Sequence, residues 1–186
     1  MVGMENLLVV IDMQKVFMGS EWQVPEIRKA EKHILELLPH FEDAVFTQHV
    51  TAKQPRGTWK RYNEVWGYLD EDPANIEILD RLKPYAREVY WKTTYSAFGN
   101  PDFAARAEAA GRIFITGVQT EFCVLATLLD AVDRGIETVY VADACAGEKP
   151  MLEQAVEEIV RRMPSQVDFR TAGQVIEEVF HGKAVH

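Results

Sequence analysis

Short apolar runs alternate with amphipathic segments along this chain, and that alternation limits the fold more than any other sequence feature. The runs that predict strands are Asn6–Asp12, Ala44–His49, Glu88–Trp91, Ile113–Gly117 and Thr138–Ala142, with a weaker one at Gln166–Phe169. The first, fourth and fifth runs are apolar at nearly every position, which is typical of strands covered on both faces. We therefore expect a parallel sheet between two helix layers, a doubly wound three-layer α/β/α fold.

The segments between these runs have helical spacing, and proline at the first turn or glycine after the last turn marks several of their ends. The predicted helices are Pro25–Leu38, Pro101–Ala110, Glu121–Arg134, Pro150–Met163 and Thr171–Phe180. No repeat, low-complexity tract or linker separates them, so residues 1–186 are expected to form one domain.

Composition narrows the class of protein. A formal charge of −9 without a Lys/Arg cluster argues against nucleic acid as a partner. No stretch has the length of a transmembrane helix, and the first residues lack the features of a signal peptide. Cys123 and Cys145 form no CxxC pair, which favours a reduced, cytoplasmic protein. No cofactor is expected, because no GxGxxG or P-loop follows the first strand, as a nucleotide- or flavin-binding domain would require.

Residues 50–72 interrupt the alternation with a polar and aromatic stretch of no clear period. This excursion contains four large aromatic residues, Trp59, Tyr62, Trp66 and Tyr68. Long irregular excursions in compact domains are usually functional, so we expect part of a substrate pocket or a subunit contact here. The alternative is a surface loop whose tryptophans cover a small secondary core.

Residues that could do chemistry follow several predicted strands. Asp12, His49, Lys92 and Asp143 stand at strand ends, and the turn GVQTEFC, which ends in Cys123, follows the fourth strand. In open parallel sheets, ligands bind beyond the carboxyl ends of the strands. An acid, a lysine and a cysteine are therefore expected to converge on one edge of the sheet.

Cys123 is the strongest candidate nucleophile. It lies in the first turn of a predicted helix with Thr120 as the expected N-cap, and the positive end of the helix dipole favours a thiolate. The alternative is a small core residue in an apolar segment, the role we assign to Cys145. Asp12 could be a proton acceptor or a turn residue. Lys92 could stabilise the negative charges of Asp12 and of a Cys123 thiolate, or it could lie unpaired at the surface.

Several motifs taken together resemble the isochorismatase-like cysteine hydrolases. They are DMQ…F from Asp12 to Phe17, KTTYSAF from Lys92 to Phe98, and TGVQTEFCV from Thr116 to Val124. The helix LLDAVDRG and the segment VADACA add to the resemblance, which runs from Asn6 to about Glu157.

The resemblance implies a six-stranded sheet in the order 3-2-1-4-5-6. It also implies a triad of Asp12 as proton acceptor, Lys92 as electrostatic partner and Cys123 as nucleophile. A cis peptide bond is implied between Val118 and Gln119, with the Gln119 and Cys123 amides stabilising an oxyanion. The implied reaction is hydrolysis of a small amide, ureide or carbamoyl compound through a thioester.

Differences between this sequence and its relatives limit which of their activities and substrates can be transferred to this chain. Nicotinamidases have an Asp-x-His metal motif where this chain has His49-Val50-Thr51. We therefore expect that this chain has no metal site and is not a nicotinamidase. Lys15-Val16 stands where relatives often have Asn-Asp, which puts any transferred substrate in doubt. The expected substrate-binding residues are Phe17, Trp59, Tyr95, Phe98 and Gln119.

Two questions stay open from the sequence. A catalytically silent member that binds a metabolite or a protein would share these motifs. Family members commonly form dimers or tetramers, so a homo-oligomer is expected. The apolar end of the chain, with Val175, Ile176, Val179 and Phe180, could serve that contact or form the last layer of the domain core.

Overall fold

The computed structural model describes residues 5–180 and contains a six-stranded parallel sheet in the order β3-β2-β1-β4-β5-β6. The strands are β1 (Glu5–Ile11), β2 (Asp43–His49), β3 (Val89–Lys92), β4 (Gly111–Val118), β5 (Glu137–Ala146) and β6 (Val167–Arg170). The predicted fold class and strand order are confirmed. The strand β5 continues four residues beyond its predicted end at Ala142, because Ala144, Cys145 and Ala146 are also buried.

Helices cover both faces of the sheet. They are α1 (Ile27–Leu37), α2 (Trp59–Trp66), α3 (Pro73–Ile76), α4 (Pro101–Ala110), α5 (Leu125–Asp133), α6 (Pro150–Arg161) and α7 (Ala172–Gln174). Short 3-10 turns lie at Lys15–Met18, Leu38–His40, Gly67–Asp70, Lys83–Tyr85 and Ala97–Gly99. Two π-helical turns lie at Thr120–Val124, which leads into α5, and at Val175–Phe180. No helix within residues 5–180 combines the length and apolar character that crossing a membrane requires.

Alternate residues of each inner strand face opposite cores. From β1, Leu8 and Val10 pack with α1 on one face. Leu7, Val9 and Ile11 pack with α4, α5 and α6 on the other. Because both faces are buried, polar side chains are excluded from the middle of the inner strands and accumulate at the strand ends.

The excursion at residues 50–72 is more ordered than the sequence indicates. It contains α2 and a 3-10 turn at Gly67–Asp70, which corrects the expectation of an irregular segment. None of the residues in α2 is fully buried, although Trp59, Tyr62 and Trp66 recur at helical spacing along it. Side-chain hydrogen bonds hold the excursion in place: Thr51 donates to Asp70, and Asn63 donates to the Ala52 carbonyl at 2.8 Å.

The end of the described chain packs on the core. Val175 is fully buried, and the Phe180 ring meets the Phe41 ring edge-on with centroids 4.8 Å apart. Ile176 and Val179 also pack against this core. These contacts favour the domain-core interpretation of this segment, while the homo-oligomer stays a prediction.

Gly117 offers a test of how closely β1 and β4 must approach. Its φ is +111°, and a Cβ there would collide with the backbone of Ile11, its partner in the sheet. Gly117→Ala should lower the free energy of unfolding by about 3 kcal/mol or more, because backbone strain and overpacking each cost about 1–3 kcal/mol. Urea unfolding measures the change. Gly173→Ala is the control, since nothing lies within 4 Å of a Cβ there; an equal loss in both variants would contradict this explanation.

Candidate active site

Three side chains from separate parts of the chain meet at the carboxyl edge of the sheet. Asp12 follows β1, Lys92 ends β3 and Cys123 lies in the π turn after β4. The Lys92 Nζ atom is 2.7 Å from Asp12 Oδ2 and 3.2 Å from Cys123 Sγ. Asp12 is 0%, Lys92 2% and Cys123 5% exposed, so the group is shielded from water. The ammonium thus links the carboxylate to the sulfur.

Asp12 is fixed by its own backbone and by Thr47 of β2. Its φ is +49°, which lies in the left-handed region that aspartate tolerates better than most residues. The Thr47 hydroxyl donates to Asp12 Oδ1 at 2.7 Å and accepts from the Asp12 amide at 3.2 Å. This double contact leaves Oδ2 for Lys92. Sequence reasoning missed Thr47, although a threonine directly after the apolar residues Ala44–Phe46 was a usable signal.

Lys92 has a hydrogen-bond or ion-pair partner for each of its three donors. Besides Asp12 and Cys123, its Nζ atom donates to the Thr94 carbonyl at 3.1 Å. Burial lowers the pKa of Lys92, but the charge of Asp12, the charge of Cys123 once it ionises and the hydrogen bonds to both outweigh burial, so the pKa is raised. The side chain therefore carries a positive charge at neutral pH.

The turn that holds Cys123 begins differently from the sequence expectation. Gln119, not Thr120, is the N-cap residue, and its side chain makes no capping bond. The amides of Phe122 and Val124 donate to the Gln119 carbonyl at 3.1 and 3.2 Å. The Val118–Gln119 peptide bond is cis.

The protonation state of Cys123 also corrects an expectation. Burial raises the pKa of this thiol to about 12; Lys92 opposes the rise, whereas the charge of Asp12 and a hydrogen bond to it add to it. The helix terminus therefore does not produce a resting thiolate. Sequence reasoning could weigh the helix dipole but not the desolvation of the sulfur, which is the largest cause of the raised pKa.

Alkylation by iodoacetamide tests this thiol state. Because the thiolate is the reacting form, the labelling rate of Cys123 should rise about tenfold for each pH unit between 7 and 10, below the pKa of about 12. Cys145 is an internal reference: burial and the charge of Asp143 raise its pKa too, and its Sγ atom lies 3.7 Å from the Ile115 carbonyl. Mass spectrometry of the two cysteine peptides gives both rates. Fast, pH-independent labelling of Cys123 near pH 7 would indicate a resting thiolate.

His49 lies beside the three-residue group. It ends β2, and its register partner in β3 is Lys92. The Gln14 side chain holds its backbone on both sides, accepting from the His49 amide at 2.8 Å and donating to the His49 carbonyl at 3.0 Å. Burial first and the Lys92 charge second lower the pKa of His49 to about 4. The ring is therefore neutral at neutral pH.

An aromatic cluster surrounds His49. We define the aromatic cluster by its members, Phe17, Trp22, Trp59, Tyr62, Trp66, Tyr95 and Phe122. Trp22 stacks on Phe17 with centroids 5.9 Å apart, and Trp59 meets Tyr62 edge-on at 4.8 Å. Burial raises the pKa of both Tyr62 and Tyr95, and the charge of a Cys123 thiolate would raise both further, which places these two rings near the sulfur.

Most of the predicted substrate-binding residues lie at this cluster. Phe17, Trp59 and Tyr95 are members, and the Gln119 side chain donates to the Trp22 carbonyl at 3.4 Å. Phe98 lies elsewhere, packed on Phe103 at 5.1 Å with the Arg134 guanidinium 4.6 Å from its centroid. Sequence reasoning missed Trp22 because no motif or period marks it, and Tyr62 and Trp66 were attributed only to the excursion. Asp143, which is also predicted to stand at a strand end, accepts a hydrogen bond from the Ala172 amide at 2.7 Å.

Within residues 5–180, no group of three or more His, Cys, Asp or Glu side chains is arranged to hold a metal ion. His49 has aromatic neighbours, with the Trp59 and Tyr62 centroids 6.4 and 6.0 Å from its own. Its Nε2 atom lies 3.3 Å from the Tyr62 hydroxyl.

The chain is similar to known proteins along most of its length. The sequence profile of the isochorismatase domain matches residues 6–167. The isochorismatase family protein YddQ of Bacillus subtilis (strain 168) is 26% identical over 161 residues, which cover 82% of this chain and 84% of YddQ.

Solved structures share the fold. A cysteine hydrolase from Pseudomonas syringae pv. phaseolicola 1448A has a TM-score of 0.82 and 20% identity, covering 97% of this chain and 94% of that one. N-carbamoylsarcosine amidase from Thermoplasma acidophilum has a TM-score of 0.73 and 23% identity, covering 91% and 97%. At these identities the likeness extends to the fold alone.

Proposed function

The chain belongs to the isochorismatase family, and from that premise we propose that it hydrolyses a C–N bond of a small amide, ureide or carbamoyl compound. Cys123 is the nucleophile, Asp12 the proton acceptor and Lys92 the electrostatic partner. The observation that carries the proposal is the Lys92 ammonium, which lies 2.7 Å from the Asp12 carboxylate and 3.2 Å from the Cys123 sulfur.

The first chemical step follows from the state of the thiol. Because the pKa of Cys123 is raised to about 12, the sulfur keeps its proton until a substrate arrives. As the Sγ–carbon bond forms, the proton passes to Asp12, and Lys92 stabilises the charge that develops on the sulfur. The backbone amides of Gln119 and Cys123 are the proposed donors to the oxyanion.

The remaining steps return the enzyme to its starting state. The tetrahedral intermediate expels ammonia or an amine, which takes the proton from Asp12, and a thioester to Cys123 remains. Asp12 then takes a proton from a water molecule that attacks the thioester, and the acid leaves as the thiol regains that proton. One bond to nitrogen is cleaved and one water is consumed in each cycle.

Two observations support this reaction class. The solved neighbours include a cysteine hydrolase and an amidase of N-carbamoylsarcosine, which is itself a carbamoyl compound. In this chain the nucleophile, acid and lysine occupy the ends of separate strands or the turn that follows one, and rigid elements hold them. Such an arrangement favours catalysis, because a misplacement of about 1 Å can cost about a hundredfold in rate.

A catalytically silent binding module is the second candidate. The observation that favours it is the sulfur itself, which is 5% exposed and protonated at neutral pH. Such a protein would keep the Asp12–Lys92 ion pair for stability and would bind its ligand without a covalent bond to Cys123.

Ammonia release from a panel of amides, ureides and carbamoyl compounds separates the two candidates. We expect at least one compound to release ammonia and, after acid quenching, to leave an acyl adduct on the Cys123 peptide that mass spectrometry detects. Ligand binding without ammonia release or an adduct would favour the silent module. Ammonia release that persists undiminished in Cys123→Ala would reject the thioester route.

A further inference from the structure

A second cavity, of about 640 Å³, lies apart from the candidate active site. Its walls are the 3-10 turn Lys15–Met18, the first half of α1 and residues 79–81. The last of these walls is fixed to the chain just before the turn, because the Leu79 amide donates to the Met13 carbonyl at 2.9 Å. A cavity of this volume with fixed walls suits a small ligand.

Glu31 is the most unusual residue in the lining of this cavity. It lies on the buried face of α1, one turn after Ile27 and one turn before Ile34, where an amphipathic helix places apolar side chains. Its Oε2 atom pairs with Arg28 at 2.8 Å and with Arg81 at 3.6 Å. Its Oε1 atom is also buried, but within residues 5–180 it has no hydrogen-bond partner. Native proteins pair nearly all such atoms, so Oε1 indicates a place for a ligand that donates a hydrogen bond.

The charges around Glu31 limit what that ligand can be. Arg28 and Arg81 each place one guanidinium nitrogen near the same carboxylate oxygen, and both side chains are more than half exposed. A guanidinium has five N–H donors, so one contact with Glu31 leaves donors for a second carboxylate. Two positive charges share one negative charge here, which favours a ligand that brings an anion as well as a donor.

The position of these groups relative to each other narrows the ligand further. The unpaired oxygen and the oxygen that both arginines contact belong to one carboxylate, so the donor and the anion of the ligand have to be neighbours. An α-amino acid has this arrangement, because a single carbon atom separates its ammonium from its carboxylate. Met18 and Leu79 add apolar surface to the cavity, which favours an aliphatic side chain.

We propose that this cavity binds a free α-amino acid with an aliphatic side chain. The ammonium group donates to Glu31 Oε1, and the carboxylate accepts from Arg28 and Arg81. The aliphatic side chain lies against Met18 and Leu79. This proposal goes beyond the hydrolase function and does not depend on it, because the cavity and the proposed nucleophile are separate sites.

Isothermal titration calorimetry on the unmodified protein tests the proposal. The probes are L-leucine, L-valine and L-methionine, and at least one of them should show saturable binding at one site per chain. Two analogues of the amino acid that binds then remove one group each. Its amide lacks the carboxylate, and its deaminated acid lacks the ammonium. Each analogue should bind about tenfold more weakly or worse, because each loses a charge-assisted contact.

Variants assign the binding to this cavity. Glu31→Gln keeps the shape of the side chain but removes its charge, so it should weaken binding of the amino acid about tenfold or more. Glu36→Gln is the matched control on the same helix, because the Glu36 side chain is 45% exposed and pairs with Lys32 and His33. It should leave the affinity unchanged. Arg81→Met, at an exposed position that tolerates the change, should weaken binding about fivefold or more.

Three results would overturn the proposal: no saturable binding of any of the three amino acids, undiminished affinity in both Glu31→Gln and Arg81→Met, or a deaminated acid that binds as tightly as the amino acid. The last would show a site for anions only. Cys123→Ala should bind the amino acid with unchanged affinity. Absence of ammonia release therefore counts against the hydrolase function alone, and absence of amino acid binding counts against this cavity alone.

Discussion

Replacing Cys123 with alanine should abolish ammonia release from any amide that the unmodified protein hydrolyses, lowering kcat by about 10⁴-fold or more. Alanine cannot form the thioester, and the remaining groups can only polarise water. The fold should persist, because a small buried residue replaces another and one hydrogen bond to Lys92 is lost. Steady-state kinetics gives the rate, and urea unfolding checks the stability.

Cys145→Ala is the matched control for that substitution. Cys145 is also buried and also has a raised pKa, but its sulfur lies against the Ile115 carbonyl at the end of β5. Activity within about twofold of the unmodified protein is expected there. Full activity in Cys123→Ala would reject the nucleophile assignment, and Asp12 would then have to activate water directly.

Lys92→Met should produce the largest loss of stability among substitutions at the site. Both side chains of the Asp12–Lys92 pair are 0% exposed, so removing the ammonium leaves a buried carboxylate without its partner. Breaking a buried pair in this way costs about 3–5 kcal/mol. The free energy of unfolding from urea titration at pH 7 measures it.

A double variant separates pairing from packing. In Asp12→Asn/Lys92→Met neither charge remains, so the loss should be smaller than the sum of the two single losses. Lys15→Met is a surface control, because Lys15 pairs with Glu77 and Asp80 at 2.8 and 3.0 Å but remains partly exposed. It should lose much less stability than Lys92→Met. Equal losses for the two lysines would show that burial of the pair has no special effect.

The sheet could be predicted because its inner strands are apolar on both faces. NLLVVI and IFIT leave few other folds open, and the alternating helical segments specify parallel crossovers. The same logic places Asp12, Lys92 and Cys123 at one edge. It gives no distances, because the contacts at 2.7 and 3.2 Å depend on how Thr47 and the Thr94 carbonyl hold the side chains.

The walls of the site were much harder to predict. The helix α2 is short and buries no residue completely, so the helical spacing of Trp59, Tyr62 and Trp66 is easily overlooked among the polar residues around it. Trp22 precedes α1 in a loop and reaches the site through ring contacts that include Phe17 and Tyr62. The raised pKa of Cys123 depends on desolvation, which is a property of the packed site rather than of the residues around it in sequence.

The position of β3 in the sheet affects how the protein should lose activity in urea. This strand is four residues long and stands at the end of the strand order beside β2, yet it carries the Lys92 ammonium. Local unfolding of a short edge strand needs less free energy than unfolding of the whole domain. Mild urea should therefore inactivate the protein at a lower concentration than the one that unfolds its inner strands.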